Sequence, residues 1–468
     1  MSASAISEAA PLLRHEDAVT PIKRAPARPA AGITTTRAVW IFVALLTAIR
    51  LTLLGTVDLS FDEAHYWMWS ERLAPSYFSK GPGVAYAIWS SVALFGPTEF
   101  GVRFWSPVLA GGTSLLLFYF TRRLFNDLTA FWLVLAMNVT PIFNVGAFLM
   151  TTDPLAILCW SAAMFAFWLA LERSPRFSLY WPLTGLLIGI GFVCRYTNAF
   201  QLLSVVAVLA LVPRLRGEFR RPGLVALLAV FALCTLPIVL WNQQHTWVTV
   251  THLRTRGALD HPPGVHPQEL FSFLAMHFAV YSPLLAVGIL GAVIGSWKRA
   301  RQQCEGTYLL AFGVPVFAAY FLLSLNHAAN AHWDGLAFVS LGVLATAFWR
   351  QRFQARPSVG RWAAAAMLLA LFLSVIALNS ELLRSAAGRH FHWRDPADRM
   401  RSWQAASQAV EEVRAAAETQ LQQPLFVIAD ERDRASEFAF YFREKRSEAA
   451  GHPPVYIVES PGVRNQFS

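Results

Sequence analysis

The sequence predicts an α-helical polytopic membrane protein with about eleven transmembrane helices and a small C-terminal α/β domain. Only 15% of the 468 residues are charged and 55% are hydrophobic, which is less charge than a soluble protein of this length carries. The 17 tryptophans and 35 phenylalanines suit bilayer cores and interfaces. Apolar runs of roughly 20 residues, the length that a bilayer requires, follow one another along most of the chain.

The order of apolar and basic segments predicts how the chain crosses the membrane. The apolar runs lie at approximately 38–57, 101–120, 128–148, 154–171, 180–194, 198–213, 222–241, 269–297, 307–325, 335–349 and 361–379. Basic residues cluster in alternate connections, at 122–123, 173–176, 214–221, 298–301 and 350–361. Because cytoplasmic loops carry the excess of Lys and Arg, this pattern predicts a cytoplasmic N-terminus and an outer C-terminus. The net charge of +10 has the same explanation and is not attributed to nucleic-acid binding.

The predicted domains follow from changes in composition along the chain. Residues 1–37 are polar and contain many Pro, Ala and Arg, which predicts a disordered cytoplasmic tail. No small-residue cleavage site follows, so the first apolar run is expected to be an uncleaved span. Residues 38–380 are predicted as the transmembrane domain, with a long first outer loop at 58–100. Two amphipathic pieces of this loop, 62–73 and 83–95, are too short to span and are expected to lie in the interface.

Residues 381–468 are predicted to form a periplasmic α/β domain. A polar helix at 396–418 is followed by a strand at 424–430, a helix at 436–442 and a second strand at 454–459. The sequence stops soon after the second strand, so whether this domain is complete stays open.

The cysteines and histidines predict no bound group. The four cysteines lie in or beside apolar segments and form no C-x-x-C pair, so neither a disulfide framework nor a zinc site is indicated. The histidines of the outer loops lack a compact ligand spacing. No metal and no other cofactor is therefore predicted, although dependence on a divalent metal stays open.

An acidic pair, Asp62 and Glu63, stands at a predicted helix start in the first outer loop. Ser60 and Glu63 fit a capping box, so a helix is expected to begin near Phe61. At helical spacing Asp62 and Tyr66 share one face. Acidic and aromatic side chains on one face suit a site that binds a sugar beside lipid.

A structural interpretation of the same residues stays open. Glu63 closes the capping box, Asp62 complements the helix dipole, and the aromatic residues suit an interfacial belt. Asp58 is interpreted as a plain loop charge. The predicted topology favours a functional role, because it brings the polar features of the chain to one outer face. These features are Asp62, Lys80, Asp153, Arg195 and the loops 242–268 and 326–334.

Seven motifs then resemble one class of membrane enzyme. They are FDEAHYW (61–67), YFSKGPG (77–83), FGPTEFGVRFWS (95–106), TTDP (151–154), LPIVLWNQQHTW (236–247), NAHWDG (330–335) and DPADRMRSW (395–403). In this order and topology the sequence resembles a membrane glycosyltransferase of the GT-C type. It is most similar to the bacterial family 39 and 83 enzymes, which include protein mannosyltransferase-like proteins and the aminoarabinose transferase of lipid A.

The resemblance implies a fold and an activity. The fold is a bundle of membrane helices with juxtamembrane helices in the first outer loop. The activity is transfer of a sugar from a polyprenyl-phosphate carrier to a lipid, glycan or protein acceptor at the periplasmic face of the inner membrane. The chain departs from the aminoarabinose enzyme at two positions: that enzyme has Glu where this chain has Ser79, and Pro where this chain has Gly81. These differences weaken the case for metal binding and for that particular sugar.

The resemblance also implies catalytic roles. Asp62 matches the catalytic acidic residue of the first outer loop, and a carboxylate in a partly dry site can act as a general base. Glu63 is its candidate partner in positioning the acceptor. Asp153 matches an acidic residue of the second outer loop, although Asp in TTDP also suits the first turn of a helix.

Cations are expected in the predicted donor site, because they stabilise the negative charge that develops on the leaving lipid phosphate. Lys80 matches a lysine near the carrier phosphate, and its alternative is a lysine that snorkels to the headgroups. Arg195 lies at the outer end of a span, where a charge indicates a functional site. Arg254 and Arg256 are further candidates for the phosphate or for anionic lipid. Tyr66 and Trp333 are the aromatic residues that are candidates for binding the sugar. Alternatively, Trp333 belongs to the belt of aromatic residues at the membrane interface.

Two other classes of function stay open. A transporter or flippase for a lipid-linked sugar is the main alternative, but it predicts repeated halves with broken helix pairs, which the sequence lacks. The polar features also gather at one face instead of the midplane, which argues against a transporter. A lipid-linked assembly scaffold, whose outer domain binds a partner, is the other alternative, and carboxylates that have no catalytic effect on substitution would favour it.

Overall fold

The computed structural model describes residues 31–257, 260, 264–300, 303–326, 329–379, 400–442 and 455–457. The helices are α1 (Ala31–Leu53), α2 (Phe61–Ser70), α3 (Gly83–Phe95), α4 (Glu99–Arg103), α5 (Trp105–Leu124), α6 (Asp127–Val139), α7 (Pro141–Gly146), α8 (Thr152–Glu172), α9 (Tyr180–Cys194), α10 (Phe200–Leu211), α11 (Pro222–Gln244), α12 (Val248–Arg256), α13 (Pro267–Tyr281), α14 (Pro283–Ala300), α15 (Cys304–Asn326), α16 (Gly335–Ala355), α17 (Pro357–Leu378), α18 (Trp403–Leu421) and α19 (Arg432–Tyr441). Short 3-10 helices lie at Tyr196–Ala199 and Pro213–Arg220, and two strands are β1 (Val427–Ala429) and β2 (Val455–Ile457).

Helices occupy every predicted span, but the predicted number of spans is not established. Within the described ranges, six helices are long and apolar enough to cross a membrane, or up to eight if each bent pair counts as one span. Three shorter apolar helices, α3, α6 and α9, lie between them. The count of eleven spans and the orientation of the chain therefore stay predictions.

Proline explains where the predicted spans are interrupted. The run 128–148 is divided into α6 and α7 because Pro141 begins a new helix after Thr140. The run 269–297 is bent by 109° between α13 and α14, where Ser282 has a φ of 70° before Pro283. The first helix begins at Ala31, earlier than the predicted start at residue 38. The rest of the predicted N-terminal tail lies outside the described residues.

The main core of the membrane domain fixes the end of α9. Trp160 and Phe167 of α8 and Tyr308 of α15 are fully buried in this core. At Gly185 of α9, an added Cβ would lie 2.1 Å from the carbonyl oxygen of Leu227 on α11, so no larger residue fits at this crossing. The tight crossing fixes the axis of α9, and Arg195 follows directly after that helix.

The predicted first outer loop and the C-terminal segment share a second core. The predicted interfacial pieces are α2 and α3, and the predicted capping box is present at Ser60 and Glu63. β1 and β2 pair in parallel, with Val427 opposite Val455. α19 packs on α2, where the ring of Phe440 meets that of Trp67 edge-on at 5.1 Å. The boundaries and completeness of the C-terminal domain stay predictions, and residues 380–399 lie outside the described ranges.

Polar contacts also join the C-terminal segment to the start of the loop. The backbone N–H of Leu59 donates to the hydroxyl of Tyr441 at 2.8 Å. The carboxylate of Asp58 accepts from the backbone N–H of Trp403 at 2.8 Å. The interpretation of Asp58 as a plain loop charge was therefore wrong: it satisfies a backbone donor at the N-terminus of α18, where a helix lacks internal acceptors.

Glu437 makes this interface sensitive to pH. Its side chain is fully buried on α19, and neither carboxylate oxygen has a hydrogen-bond partner within the described ranges. Burial, with the charges of Glu63 and Asp58, raises the pKa of Glu437 to about 10. A raised pKa in the folded state means that this carboxyl stabilises the fold least at alkaline pH. The stabilisation is complete below the ordinary pKa of 4.5 and is lost progressively up to about 10.

We therefore expect Glu437→Gln to stabilise the protein at pH 8 by roughly 1–3 kcal/mol, because it removes a buried group that must otherwise stay protonated. The gain should shrink at pH 5. Thermal unfolding in detergent at the two pH values measures it, with Glu431→Gln at the exposed start of α19 as the control. A gain in stability of equal size at both pH values would contradict the raised pKa of Glu437 as its cause.

Candidate active site

The N-terminal turn of α2 places the two acidic residues in opposite environments. The side chain of Asp62 is 41% exposed. That of Glu63 is fully buried. Because adjacent helical residues point about 100° apart, one carboxylate faces solvent while the other faces the protein interior.

Both carboxylate oxygens of Glu63 accept hydrogen bonds from other residues of the protein. Arg103 forms a buried ion pair with it, with nitrogen–oxygen distances of 2.8 and 2.9 Å. The backbone N–H groups of Ser60 and Met150 donate to the same carboxylate at 3.0 and 2.9 Å. Burial acts to raise the pKa of Glu63, but the Arg103 charge and these hydrogen bonds outweigh it and lower the pKa. This geometry favours a role in holding α2, while the predicted role in the reaction stays a prediction.

Lys80 is held beside α2 by a tight turn. Its ammonium donates to the hydroxyl of Tyr66 at 2.5 Å and lies 5.1 Å from the centre of that ring. The next residue is Gly81. A larger residue does not fit there, because an added Cβ would lie 2.1 Å from the carbonyl oxygen of Val193. The departure from Pro at this position is thus explained by close packing of the turn on the end of α9.

Lys80 loses its proton more easily than an ordinary lysine. Burial lowers the pKa of Lys80 to about 8; Asp62 opposes this, and the positive charges of Arg195, Arg256 and Arg432 add to it. The same arginines act on the buried hydroxyl of Tyr66, although burial raises its pKa overall. A cation that is surrounded mainly by other cations is suited to an anionic ligand.

A second set of contacts gathers around Trp333. Asp153, in the first turn of α8, forms an ion pair with Arg195. Arg195 also donates to the backbone carbonyl of Trp333 at 2.9 Å, and the guanidinium of Arg256 lies 5.0 Å from the centre of the Trp333 ring. Thr151 caps α8, and Asp153 lies in the first turn, as its structural interpretation predicted. The ion pair shows that this carboxylate also orients a cation of the site.

The predicted cations do not all lie in the same place. Arg254 is largely exposed and pairs with Asp260 at 3.4 Å, whereas its neighbour on α12, Arg256, is directed to Trp333. His252, on the same helix, contacts Phe78 in the turn before Lys80. Burial and nearby cations lower the pKa of His252 to about 4, so it is neutral at physiological pH. The structure therefore brings Arg256, but not Arg254, to Trp333, and the role of either arginine at a phosphate stays a prediction.

Two neighbouring clefts lie beside this region. The first, of about 80 Å³, is lined by Asp153, Arg195 and His332. The second, of about 570 Å³, is almost wholly apolar and is lined by α6, α14, α16 and α17. Met137 and Phe143 line both, so the charged cleft and the apolar groove are neighbours.

Three features of the region were missed by the sequence reasoning. Arg432 of α19 reaches Asp62, Arg103 pairs with Glu63, and a buried His277–Asp334 contact of 2.9 Å joins α13 to α16. Arg103 and Asp334 stood inside the motifs FGPTEFGVRFWS and NAHWDG, and an ionisable residue beside an apolar run could have flagged both. No sequence signal pointed to Arg432.

The fold of the described residues is similar to that of the GT-C membrane glycosyltransferases. The protein has a TM-score of 0.57 to ArnT from Cupriavidus metallidurans bound to undecaprenyl phosphate. It is 19% identical to that structure, with 90% of this chain and 76% of that chain covered. A likeness at this identity establishes the fold.

More particularly, residues 79–241 match the family of dolichyl-phosphate-mannose-protein mannosyltransferases. The chain is 27% identical over 310 residues to the lipid A galacturonosyltransferase RgtD of Rhizobium johnstonii, covering 64% of each chain. It is 30% identical over 268 residues to an undecaprenyl phosphate-4-amino-4-deoxy-L-arabinose arabinosyl transferase of Pseudomonas fluorescens, covering 55% of this chain and 45% of that one. These findings confirm the resemblance to GT-C glycosyltransferases that the sequence motifs predicted. The chain spans about half to two thirds of the length of these relatives.

Proposed function

We propose that this protein transfers a sugar from a polyprenyl-phosphate carrier to an acceptor at the periplasmic face of the inner membrane. The observation that carries the proposal is the arrangement along α2. The exposed carboxylate of Asp62 lies one helical turn from Tyr66, whose hydroxyl binds Lys80, and three arginines add positive charge. The names of the relatives, two lipid A or undecaprenyl-phosphate sugar transferases, support the same reaction.

The chemistry assigns a task to each side of this arrangement. Asp62 accepts the proton of the acceptor hydroxyl as its oxygen attacks the anomeric carbon. The bond between that carbon and the carrier phosphate breaks, and the electron pair leaves with the phosphate oxygen. Lys80, Arg256 and Arg195 stabilise the charge that develops there. Tyr66 and Trp333 offer aromatic surfaces beside the sugar, and the apolar groove accommodates the polyprenyl chain.

Comparison of envelope glycolipids by mass spectrometry, with and without the gene, tests the reaction and identifies the sugar. We expect a glycolipid or glycan to lose one sugar residue when the protein is absent, while the lipid-linked donor accumulates. The purified protein should then transfer that sugar from the lipid-linked donor. Movement of the intact donor across a vesicle membrane without a new glycosidic bond would instead establish the transporter alternative.

Lys80→Ala should weaken use of the donor by about ten- to a hundredfold at subsaturating concentration, because a charge-assisted hydrogen bond is worth roughly 1.5–3 kcal/mol. Lys80 is charged below its pKa of about 8, so parent activity should fall as the pH rises from 7 to 9. Lys80→Arg keeps its charge across this range and should flatten that part of the profile. Undecaprenyl phosphate binding, measured alongside, separates loss of donor affinity from unfolding. Unchanged affinity in a well-folded Lys80→Ala protein assigns Lys80 to the headgroup region.

A further inference from the structure

The apolar groove between α6, α14, α16 and α17 follows α16 and includes an arginine. The lining residues of α16 begin at Phe338 and continue through Gly342 and Thr346 to Arg350. Phe338 and Arg350 lie about 18 Å apart along the helix axis. Because the hydrocarbon core of a bilayer is about 30 Å thick, the chains of one leaflet span about half of that. The groove therefore matches the length of one acyl chain.

Arg350 lines this groove without a counter-charge from the groove helices. Its Nε is buried and donates to no acceptor within the described ranges. As far as the structure describes them, the four helices contain five Lys or Arg residues and one acidic residue, Asp127, which pairs with Arg122 at 2.7 Å. A partly buried guanidinium in this setting is suited to a ligand that supplies the negative charge.

The proposed donor site does not account for Arg350. α16 begins at Gly335, two residues after Trp333, and Arg350 lies about 22 Å further along the helix axis. The polyprenyl chain that the proposed function places in the groove is a hydrocarbon, so it offers no acceptor to a guanidinium. A negative charge at Arg350 must therefore come from another molecule.

The surroundings of Arg350 are typical of a membrane interface. α17 begins directly after α16, and its residue Trp362 lines the groove and is 70% exposed. α14 packs against Phe348 of α16 and carries Lys298 and Arg299 in its last turn. Tryptophan and basic side chains mark the level of lipid headgroups, and basic clusters attract anionic lipids. An acyl chain in the groove thus brings its headgroup to Arg350.

We infer that the apolar groove is a binding site for an anionic phospholipid, with one acyl chain along α16 and the charged headgroup at Arg350. This inference does not depend on the transfer reaction. If the polyprenyl chain of the donor also uses the groove, as the proposed function has it, the two lipids exclude each other.

Native mass spectrometry of the purified full chain tests the site with dioleoyl phosphatidylglycerol as the anionic probe and dioleoyl phosphatidylcholine as the net-neutral probe. The parent should bind phosphatidylglycerol more tightly. We expect Arg350→Gln to weaken binding of phosphatidylglycerol by about ten- to a hundredfold, because charge-assisted hydrogen bonds are lost, and to affect phosphatidylcholine less. Arg350→Lys should recover part of the affinity. A parent that binds the two probes equally well overturns the inference.

Arg352→Gln is the matched control. Arg352 lies two positions further along α16, and its guanidinium is directed to the ring of Phe348, 3.3 Å from the ring centre. The substitution should leave the affinity for phosphatidylglycerol unchanged, and equal thermal midpoints of the variants exclude misfolding. An equal loss of affinity in Arg350→Gln and Arg352→Gln indicates general attraction to a basic surface and overturns the inference.

Filling the groove tests the position of the acyl chain. Gly342→Leu places a side chain in the groove, and its Cβ has room because it would lie 3.8 Å from Leu133, its nearest neighbour. It should weaken binding of both phospholipids by about tenfold or more, since buried CH₂ groups are lost. Thr346→Phe, one turn nearer to Arg350, is a second variant of this kind. Parent affinity in a well-folded variant of either kind places the lipid outside the groove and overturns the inference.

Undecaprenyl phosphate separates this inference from the proposed function. In excess it should displace phosphatidylglycerol from the parent if its chain enters the groove. If it binds without displacing phosphatidylglycerol, and the Arg350 and Gly342 variants behave as expected, the phospholipid site stands and the proposed place of the polyprenyl chain fails. If Arg350→Gln weakens undecaprenyl phosphate as much as phosphatidylglycerol, Arg350 serves the donor phosphate and the inference is overturned.

Discussion

Asp62→Asn should lower the rate of sugar transfer by ~10²–10⁴, because asparagine preserves the shape of the side chain but cannot accept a proton. The carboxylate is partly exposed at the rim of the site, and its ion contact with Arg432 is 3.8 Å long. Its loss should therefore cost little stability; a charge in the first turn of a helix contributes about 0.3–1 kcal/mol. The rate is measured with the donor identified by the glycolipid comparison.

The decisive control for this variant is binding of the donor. Thermal stability and undecaprenyl phosphate affinity should stay close to those of the parent, so that the loss appears in the turnover number. Transfer within about threefold of the parent rate would remove Asp62 from the mechanism. Asp153 would then be the next carboxylate to substitute, since its partner Arg195 faces the same cleft.

Glu63→Gln should have the opposite profile, a large loss of stability of about 3–5 kcal/mol. The substitution leaves the guanidinium of Arg103 buried without its counter-charge, at a point where Glu63 also joins α2 to Met150. Because its pKa is lowered in the folded protein, the contribution of Glu63 is present above its ordinary value of 4.5 and is lost as the pH falls through the folded pKa. Unfolding by heat in detergent at neutral and acidic pH measures both effects.

A double substitution separates the ion pair from the rest of the network. In Glu63→Leu combined with Arg103→Leu no charge is left buried, so the double variant should be less destabilised than the sum of the two single changes. Asp62→Asn, one residue away and exposed, is the control for changes in helix stability. A fully stable Glu63→Gln protein with impaired transfer would return Glu63 to the reaction, as the sequence analysis first proposed.

Much of what the sequence predicted depends on patterns formed by residues that are close together in the chain. The capping box at Ser60 and Glu63 and the place of Asp153 in the first turn of α8 depend on residues three or fewer positions apart. The apolar runs located the helices because burial in lipid requires only length and hydrophobicity. The same rules placed the strands and the helix of the C-terminal segment to within a few residues.

Long-range contacts decided what those residues do. Asp62 and Glu63 are adjacent and chemically alike, so the sequence could not distinguish the exposed carboxylate from the buried one. Arg103, which is 40 positions away from Glu63, makes that distinction. Arg432 reaches Asp62 across 370 positions, and such a contact depends on how α19 packs on α2.

The sequence by itself therefore determined the class of fold and which polar residues could share a face. Only the tertiary structure decided which carboxylate is free to act and which cations surround it. The physical reason is that hydrophobic periodicity is encoded locally, whereas burial and charge pairing arise when distant segments meet.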